Sequence, residues 1–187
     1  APAILSSVLI KEIPENQPII FLTSDHLIRK TYLFYKSIKK HQKYLTDKNI
    51  FIFGIKPSYP SSEFGYFLSK RVNNKYKVSK FIEKPNLEKA KKIIKKKAYW
   101  NSGMFFLTKK SIINNFKKYQ NKNFNYCFNS VNKAKFKNNI YYLNKNDFLK
   151  CKTISFDYAI LEKSKDINAI NLNIPWSDLG SWKEICK

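Results

Sequence analysis

The sequence predicts an α/β domain with a mostly parallel mixed sheet and flanking helices, and three observations carry that expectation. Apolar runs of strand length recur at residues 19–22, 49–55 and 103–107, the mark of strands buried on both faces. Segments of helical spacing fall between and after them, at residues 29–45, 87–97 and 111–119. No internal repeat and no Gly/Ser-rich linker divides the chain, so strands and helices alternate within one unit.

Composition narrows the classes. A chain of 187 residues is large enough for a full core and is expected to form a single domain, 1–187. Its 43% apolar and 16% aromatic content excludes a disordered chain. No run approaches the ~18 apolar residues of a membrane span, and no charged-then-apolar leader opens the chain. A cytoplasmic protein with no membrane partner is expected. Cys127, Cys151 and Cys186 show no metal-ligand spacing and are expected as free thiols. The formal charge of +23 invites a nucleic-acid reading, but only Arg29 and Arg71 are arginines. Groove recognition favours the planar Arg fork over the solvated Lys. A genome rich in AT codons explains Lys, Asn, Ile, Phe and Tyr together, whereas nucleic-acid binding explains only Lys. No nucleic-acid partner is expected, and a lysine-rich nucleic-acid-binding module remains the rival from another class.

The elements follow in order. Residues 2–11 read as a short helix with Pro2 in its first turn and Ile4, Leu5, Val8 and Leu9 on one face. After the first strand comes the polar cluster Thr23-Ser24-Asp25-His26. Residues 29–45 read as a helix, 49–55 as a strand and 66–69 as a short strand behind Gly65. Asn73-Asn74 marks a turn into a strand at 76–82. That strand delivers Glu83 and Lys84 side by side and is stopped by Pro85. The lysine-rich helix 87–97 follows, with a narrow apolar face of Ala90, Ile93 and Ile94. Trp100-Asn101-Ser102-Gly103 then reads as the turn into the strand 103–107. Residues 120–147, rich in Asn and Lys with scattered aromatics, read as helix and loop without a clear period. Ser155 is placed to cap a helix near 154–163, 167–172 is a weak strand, and Trp176-Ser177-Asp178-Leu179-Gly180-Ser181-Trp182 forms a Gly- and Trp-bounded turn before a helix at 183–187.

The stretch 81–106 organises the chain, because polar clusters at the mouths of two strands are how an α/β sheet builds a ligand site. Asp25 and Asp178, from distant loops, are the usual protein share of a Mg²⁺ site; each also fits as a helix N-cap, which position alone favours. Glu83 suits sugar hydroxyls and Lys84 a phosphate, or the two form a surface ion pair of little worth. Successive residues of a strand point to opposite sides, so a bend must bring both to one ligand. Asn101 offers a donor and an acceptor, and Gly103 permits close backbone approach. His26 is read as structural. The four glycines, Gly54, Gly65, Gly103 and Gly180, never cluster into a phosphate loop.

Taken together, Ala1-Pro2-Ala3-Ile4, Thr23–His26, Phe53-Gly54-Ile55-Lys56-Pro57, Glu63-Phe64-Gly65-Tyr66, residues 81–85, 100–105, 155–163 and 176–182 resemble, in order, the bacterial mannose-1-phosphate guanylyltransferase family of sugar nucleotidyltransferases. The resemblance spans almost the whole chain. It implies a Rossmann-like nucleotidyltransferase fold. It implies Asp25 and Asp178 as Mg²⁺ ligands, Glu83 on mannose hydroxyls, Lys84 on the sugar phosphate, and Asn101 with the Gly65 backbone completing the pocket. Asp25, Lys84 and Asp178 would thus be the catalytic set. The implied reaction joins GTP and mannose 1-phosphate into GDP-mannose and pyrophosphate. The sugar phosphate attacks the α-phosphorus in line, and an anionic nucleophile needs no general base.

The departures are equally specific. Thr23 stands where the family has Pro, and Phe64 where it has Gly. The family's opening strand and Gly-rich triphosphate loop are absent from these residues, as are its parts beyond the Trp-rich turn, including any fused isomerase. The chain is therefore expected to be an internal fragment with its N-terminal portion missing, one partial nucleotidyltransferase domain inactive alone. Base choice rests on the resemblance only, so another sugar-1-phosphate nucleotidyltransferase is the alternative. A homo-oligomer is left open.

Overall fold

The computed structural model describes residues 1–180. The helix expected at 183–187, the Trp182 end of the turn, and Cys186 lie outside the described residues. The chain falls into two compact units. One holds Ala1–Ile19, Thr46–Lys48 and Leu107–Lys165; the other holds Ile20–Leu45, Asn49–Phe106 and the described residues after Lys165. No helix among the described residues is long and apolar enough to cross a membrane.

In chain order the elements open with helix α1 (Pro2–Val8) and strands β1 (Pro18–Phe21) and β2 (His26–Ile28). Helix α2 (Thr31–Gln42) and strands β3 (Ile50–Ile55), β4 (Gly65–Val72) and β5 (Lys75–Ile82) follow. Next come α3 (Leu87–Lys95), β6 (Tyr99–Thr108), α4 (Lys109–Tyr119) and α5 (Asn121–Asn132). The hairpin β7 (Lys135–Lys137) and β8 (Ile140–Tyr142) and helix α6 (Lys145–Phe148) precede a π-helix at Asp157–Leu161. Strands β9 (Ile167–Leu172) and β10 (Trp176–Asp178) complete the set.

A six-stranded sheet runs β1-β6-β3-β9-β5-β4, with β4 pairing β6 as well. Strand β3 is buried along its whole length because its Ile-Phe-Ile-Phe run offers apolar side chains to both faces. Its neighbour β9, weak by sequence, is the parallel partner, from Ile50↔Ile167 to Ile55↔Leu172. Burying each of these Ile or Phe side chains stabilises the fold by about 1.5–3 kcal/mol, and Ile52→Ala, at a fully buried site, would cost about 2–5 kcal/mol.

The predicted α/β mixed sheet with flanking helices is observed, but not its parallel majority. Of the five ladders joining β3, β4, β5, β6 and β9, only β3–β9 is parallel. The tight turn at Asn73, with φ +54°, joins β4 to β5, and a hairpin of that kind can pair only antiparallel. A second difference lies in β6, which begins at Tyr99 and not after Asn101-Ser102-Gly103. Asn101 is inside the sheet.

The core of this unit gathers Phe34 of α2, Phe51, Phe53 and Ile55 of β3, Tyr66, Trp100, Phe106, Ile170 and Leu172, with Ala90 and Ile93 of α3 packed on it. Helix α3 starts where expected because Asn86 caps it, its Oδ1 accepting from the Lys89 amide at 2.9 Å.

The other unit buries Leu5 and Val8 of α1, Ile112 and Phe116 of α4, Cys127 of α5 and Ala159–Leu161 of the π-helix. Ser155, expected to cap a helix here, stands one residue before the cap position of the π-helix, Phe156, and its Oγ accepts from the Tyr158 amide at 3.3 Å. Lys109 is buried, and its Nζ donates to the carbonyls of Ile10 and Ile13 at 2.7 and 2.8 Å. This pins the stretch after α1, which by sequence carried no such anchor.

Candidate active site

Two groups of polar residues form within the sheet-bearing unit. The first is acidic. Strands β2 and β10 pair antiparallel with Trp176↔Ile28, Ser177↔Leu27 and Asp178↔His26 in register. The Leu179 amide donates to the Asp25 carbonyl at 2.7 Å and the Arg29 amide to the Pro175 carbonyl at 3.2 Å, closing the ribbon at both ends. Asp25, His26 and Asp178 are thereby brought together, each offering one ligand atom within 4.8 Å of the others. His26 Nε2 lies 3.9 Å from Asp25 Oδ1 and 3.9 Å from Asp178 Oδ2. The two carboxylates are partly exposed while the imidazole is buried. Burial holds the imidazolium below its ordinary range, against the opposite pull of Asp178 and then Asp25.

Gly180 completes this group. Its amide donates to Asp178 Oδ1 at 2.8 Å, which fixes one carboxylate oxygen and leaves Oδ2 facing His26. A Cβ at this position would stand 2.9 Å from Asp178 Oδ1 and 3.1 Å from Asp25 Oδ2. Glycine is what lets the backbone approach both acids.

The second group surrounds Asn101. Its backbone pairs with Gly54 of β3 and with Gly65 of β4. The β3–β6 register shifts between Ile52 and Gly54, opposite Gly103, whose φ is +73°. This bulge re-aims the strand at Asn101, and Asn101 Oδ1 accepts from the Gly103 amide at 3.4 Å. Glu83 joins the group: its Oε2 lies 2.5 Å from the point a Cβ on Gly65 would occupy, and Asn101 Cβ is 3.5 Å from it. Strand β5 ends at Ile82, and Lys84 has φ +41°. The bend required to free Glu83 and Lys84 from strand alternation is therefore present, at Lys84 itself. Lys84 is exposed and makes no ion pair among the described residues.

Aromatic rings join the two groups. Phe64 packs on Trp100 at 4.9 Å and on Trp176 at 5.6 Å between centroids. Trp176 meets His26 edge-on at 4.9 Å, and its indole Nε1–H donates to His26 Nδ1 at 3.2 Å. The Thr23 methyl lies 3.6 Å from where a Cβ on Gly103 would be, so a side chain at the bulge beside Asn101 would meet the loop before the acidic cluster. Thr23 Oγ1 and Trp100 Nε1 are buried without a hydrogen-bond partner among the described residues.

Each sequence-predicted residue thus has a place. Gly65, Glu83 and Asn101 meet, Asp25 and Asp178 meet, and Lys84 adjoins the first set along the chain. Neither Asp25 nor Asp178 serves as the N-cap of a described helix: α2 is preceded by Lys30, and the helix proposed after Asp178 lies outside the described residues. Sequence reasoning read His26 as structural and gave Gly180 and Trp176 no role of their own; the structure sets all three at the acidic group. The adjacency of His26 to Asp25 and the Asp-x-Gly spacing at 178–180 were the available signals.

The nucleotidyl transferase profile matches residues 1–187, the full chain. The chain belongs to the nucleotidyl transferase family. Among curated relatives, a mannose-1-phosphate guanylyltransferase from Escherichia coli is 32% identical over 99% of this chain and 42% of its own length. The chain therefore spans about two fifths of that relative. A solved structure described as mannose-6-phosphate isomerase from Helicobacter pylori superposes with a TM-score of 0.83 at 29% identity, covering 95% of this chain and 69% of that one. Another, described as mannose-1-phosphate geranyltransferase from Thermus thermophilus, gives 0.84 at 23% identity over 97% and 52%, a likeness of fold. The nucleotidyltransferase fold expected for this family chain is the one observed.

Proposed function

We propose that this chain is the sugar-phosphate-binding and metal-binding portion of a mannose-1-phosphate guanylyltransferase, a partial nucleotidyltransferase domain of a cytoplasmic enzyme joining GTP and mannose 1-phosphate into GDP-mannose and pyrophosphate. The observation that carries this reading is the meeting of Gly65, Glu83 and Asn101 in a chain whose Asp25 and Asp178 also converge. The identity to the E. coli guanylyltransferase supplies the substrate names.

The residues suit the chemistry. Glu83 accepts hydrogen bonds from sugar hydroxyls, and the Asn101 amide donates and accepts. Gly65, lacking a side chain, leaves room for the Glu83 carboxylate beside the sugar. Lys84, exposed at its bend, pairs with the sugar phosphate. Thr23 Oγ1 and Trp100 Nε1, without a partner among the described residues, are further groups that a polar ligand would satisfy. The carboxylates of Asp25 and Asp178 fit Mg²⁺, a hard cation that takes one or two carboxylates and leaves its other positions to water and phosphate oxygens. Mg²⁺ there would neutralise charge developing on the phosphates. The sugar phosphate is already an anion, so these residues position and screen it and no general base is called for.

The test is pyrophosphate release by the full-length protein carrying this chain, with GTP and mannose 1-phosphate, against other nucleoside triphosphates and hexose 1-phosphates. Preference for GTP with mannose 1-phosphate is expected. A different preferred pair would replace the substrates while keeping the reaction class. Absence of release with every pair would overturn the proposal.

A further inference from the structure

The hydrogen bond between Trp176 and His26 dictates how the acidic cluster is used. An indole nitrogen can only donate, and Trp176 Nε1 sits 3.2 Å from His26 Nδ1. Nδ1 must therefore present its lone pair, and the proton of the neutral ring is on Nε2. Nε2 is the atom facing Asp25 and Asp178, at 3.9 Å from each. An imidazolium would set two N–H groups against each other at the Trp176 contact.

This is the reverse of what a metal-binding histidine needs. A ligating imidazole binds through a bare nitrogen, and its other nitrogen donates to a carboxylate, carbonyl or water. Here the remote nitrogen accepts, and the nitrogen nearest the acids carries the proton. At 3.9 Å the Nε2–H is beyond direct hydrogen-bond reach of either carboxylate. It addresses the space that both acids border, where an oxygen of a bound ligand would receive it.

We infer that Trp176 is a positioning residue that holds His26 as the Nε2–H tautomer, so that His26 serves the cluster as an N–H donor and a divalent cation is ligated there by Asp25 and Asp178 without imidazole. The second half rests on the metal-binding reading proposed above. An all-oxygen donor set selects hard cations such as Mg²⁺ and Mn²⁺ over Zn²⁺, which imidazole would favour. The indole that fixes this polarity also packs on Phe64 and Trp100, the neighbours of Gly65 and Asn101. Metal preference and the shape of the sugar pocket thus share one side chain.

The experiment has two independent readouts on the full-length protein. The first is ¹⁵N–¹H correlation of the His26 imidazole at neutral pH without metal, assigned by loss of the signal in His26→Gln. The expected result is a proton on Nε2 and an unprotonated, accepting Nδ1, with Trp176→Phe populating both tautomers. A proton on Nδ1 in the unmodified protein, or no change in Trp176→Phe, overturns the inference. The second is the electron spin-echo spectrum of bound Mn²⁺, expected to lack a directly bound imidazole nitrogen; its presence overturns the inference even if the variant fails to fold. Trp176→Phe should also raise affinity for Zn²⁺ relative to Mn²⁺ by roughly tenfold, because the freed tautomer offers a bare Nε2 to the cation and outer-shell partners act on metal affinity at that scale; an unchanged ratio counts against the assigned role. Failure of Mn²⁺ to bind at all would sink the metal reading of the cluster, while the ¹⁵N spectrum still decides the role of Trp176.

Discussion

The Glu83 carboxylate occupies the space that a side chain on residue 65 would fill: Oε2 lies 2.5 Å from where a Cβ on Gly65 would stand. The obstacle to a methyl there is the end of a flexible side chain, so Gly65→Ala should displace Glu83 more than the sheet. The expected outcome is a rise of about tenfold or more in KM for mannose 1-phosphate, about 1.4 kcal/mol, with little change in thermal midpoint. Steady-state kinetics beside a melting curve would check it. An unaltered KM would detach Glu83 from the sugar.

Asp178→Asn keeps an Oδ1 to accept the Gly180 amide but removes the charge. Turnover is expected to fall by roughly two orders of magnitude, on the scale of other lost electrostatic stabilisers, with the folded fraction nearly unchanged. Near-normal turnover would take Asp178 out of the metal site.

Asp147 of α6 accepts from Lys133 Nζ at 2.7 Å and Lys150 Nζ at 3.2 Å. These two bonds, Lys133 first, hold its pKa below the ordinary 3.8. A carboxyl with a depressed folded-state pKa contributes stability above the unfolded value and loses it as pH falls through the folded one. Asp147→Asn should therefore lower the urea midpoint at neutral pH, the gap closing as pH falls below 3.8. A gap independent of pH would contradict the pairing.

The Cys151 thiol is pushed up to about 12, by burial first and then by its contact with Cys127, whose Sγ is 3.5 Å away. At about pH 8 its thiolate fraction would be about a thousandfold below that of an ordinary thiol of pKa ~8.5. Slow alkylation by iodoacetamide, followed by peptide mass spectrometry, is the expected result. Labelling at the rate of a free peptide thiol would contradict it.

Much of the fold was legible because periodicity reports burial. The run at 49–55 is strand-length and rich in Ile and Phe, which favours a buried strand, and Ala90 with Ile93 marked the inner face of α3. Strand direction was not legible, since apolar runs look alike whichever way their partners point. Residues 120–147 stayed opaque because α5 and the β7–β8 hairpin are held by groups without a sequence period, such as Ser130 Oγ donating to the Asn144 carbonyl at 2.8 Å. At the candidate site, Asp25, Glu83, Lys84, Asn101 and Asp178 could be named from motifs. That Gly65 makes room for Glu83, and that Trp176 bonds His26, are facts of tertiary distance that no local pattern encodes.

The ribbon of β2 and β10 joins residues separated by 150 positions, as at His26 and Trp176. A contact that long-range forms only when nearly the whole chain has already found its path. The acidic pair exists in the folded molecule and nowhere along the unfolded one. An ion gripped by both acids would then act as a clasp on the finished fold: at a hundred times its dissociation constant it would add about 2.7 kcal/mol to stability. Starving a cell of that ion would lower the amount of intact protein as well as its rate of turnover.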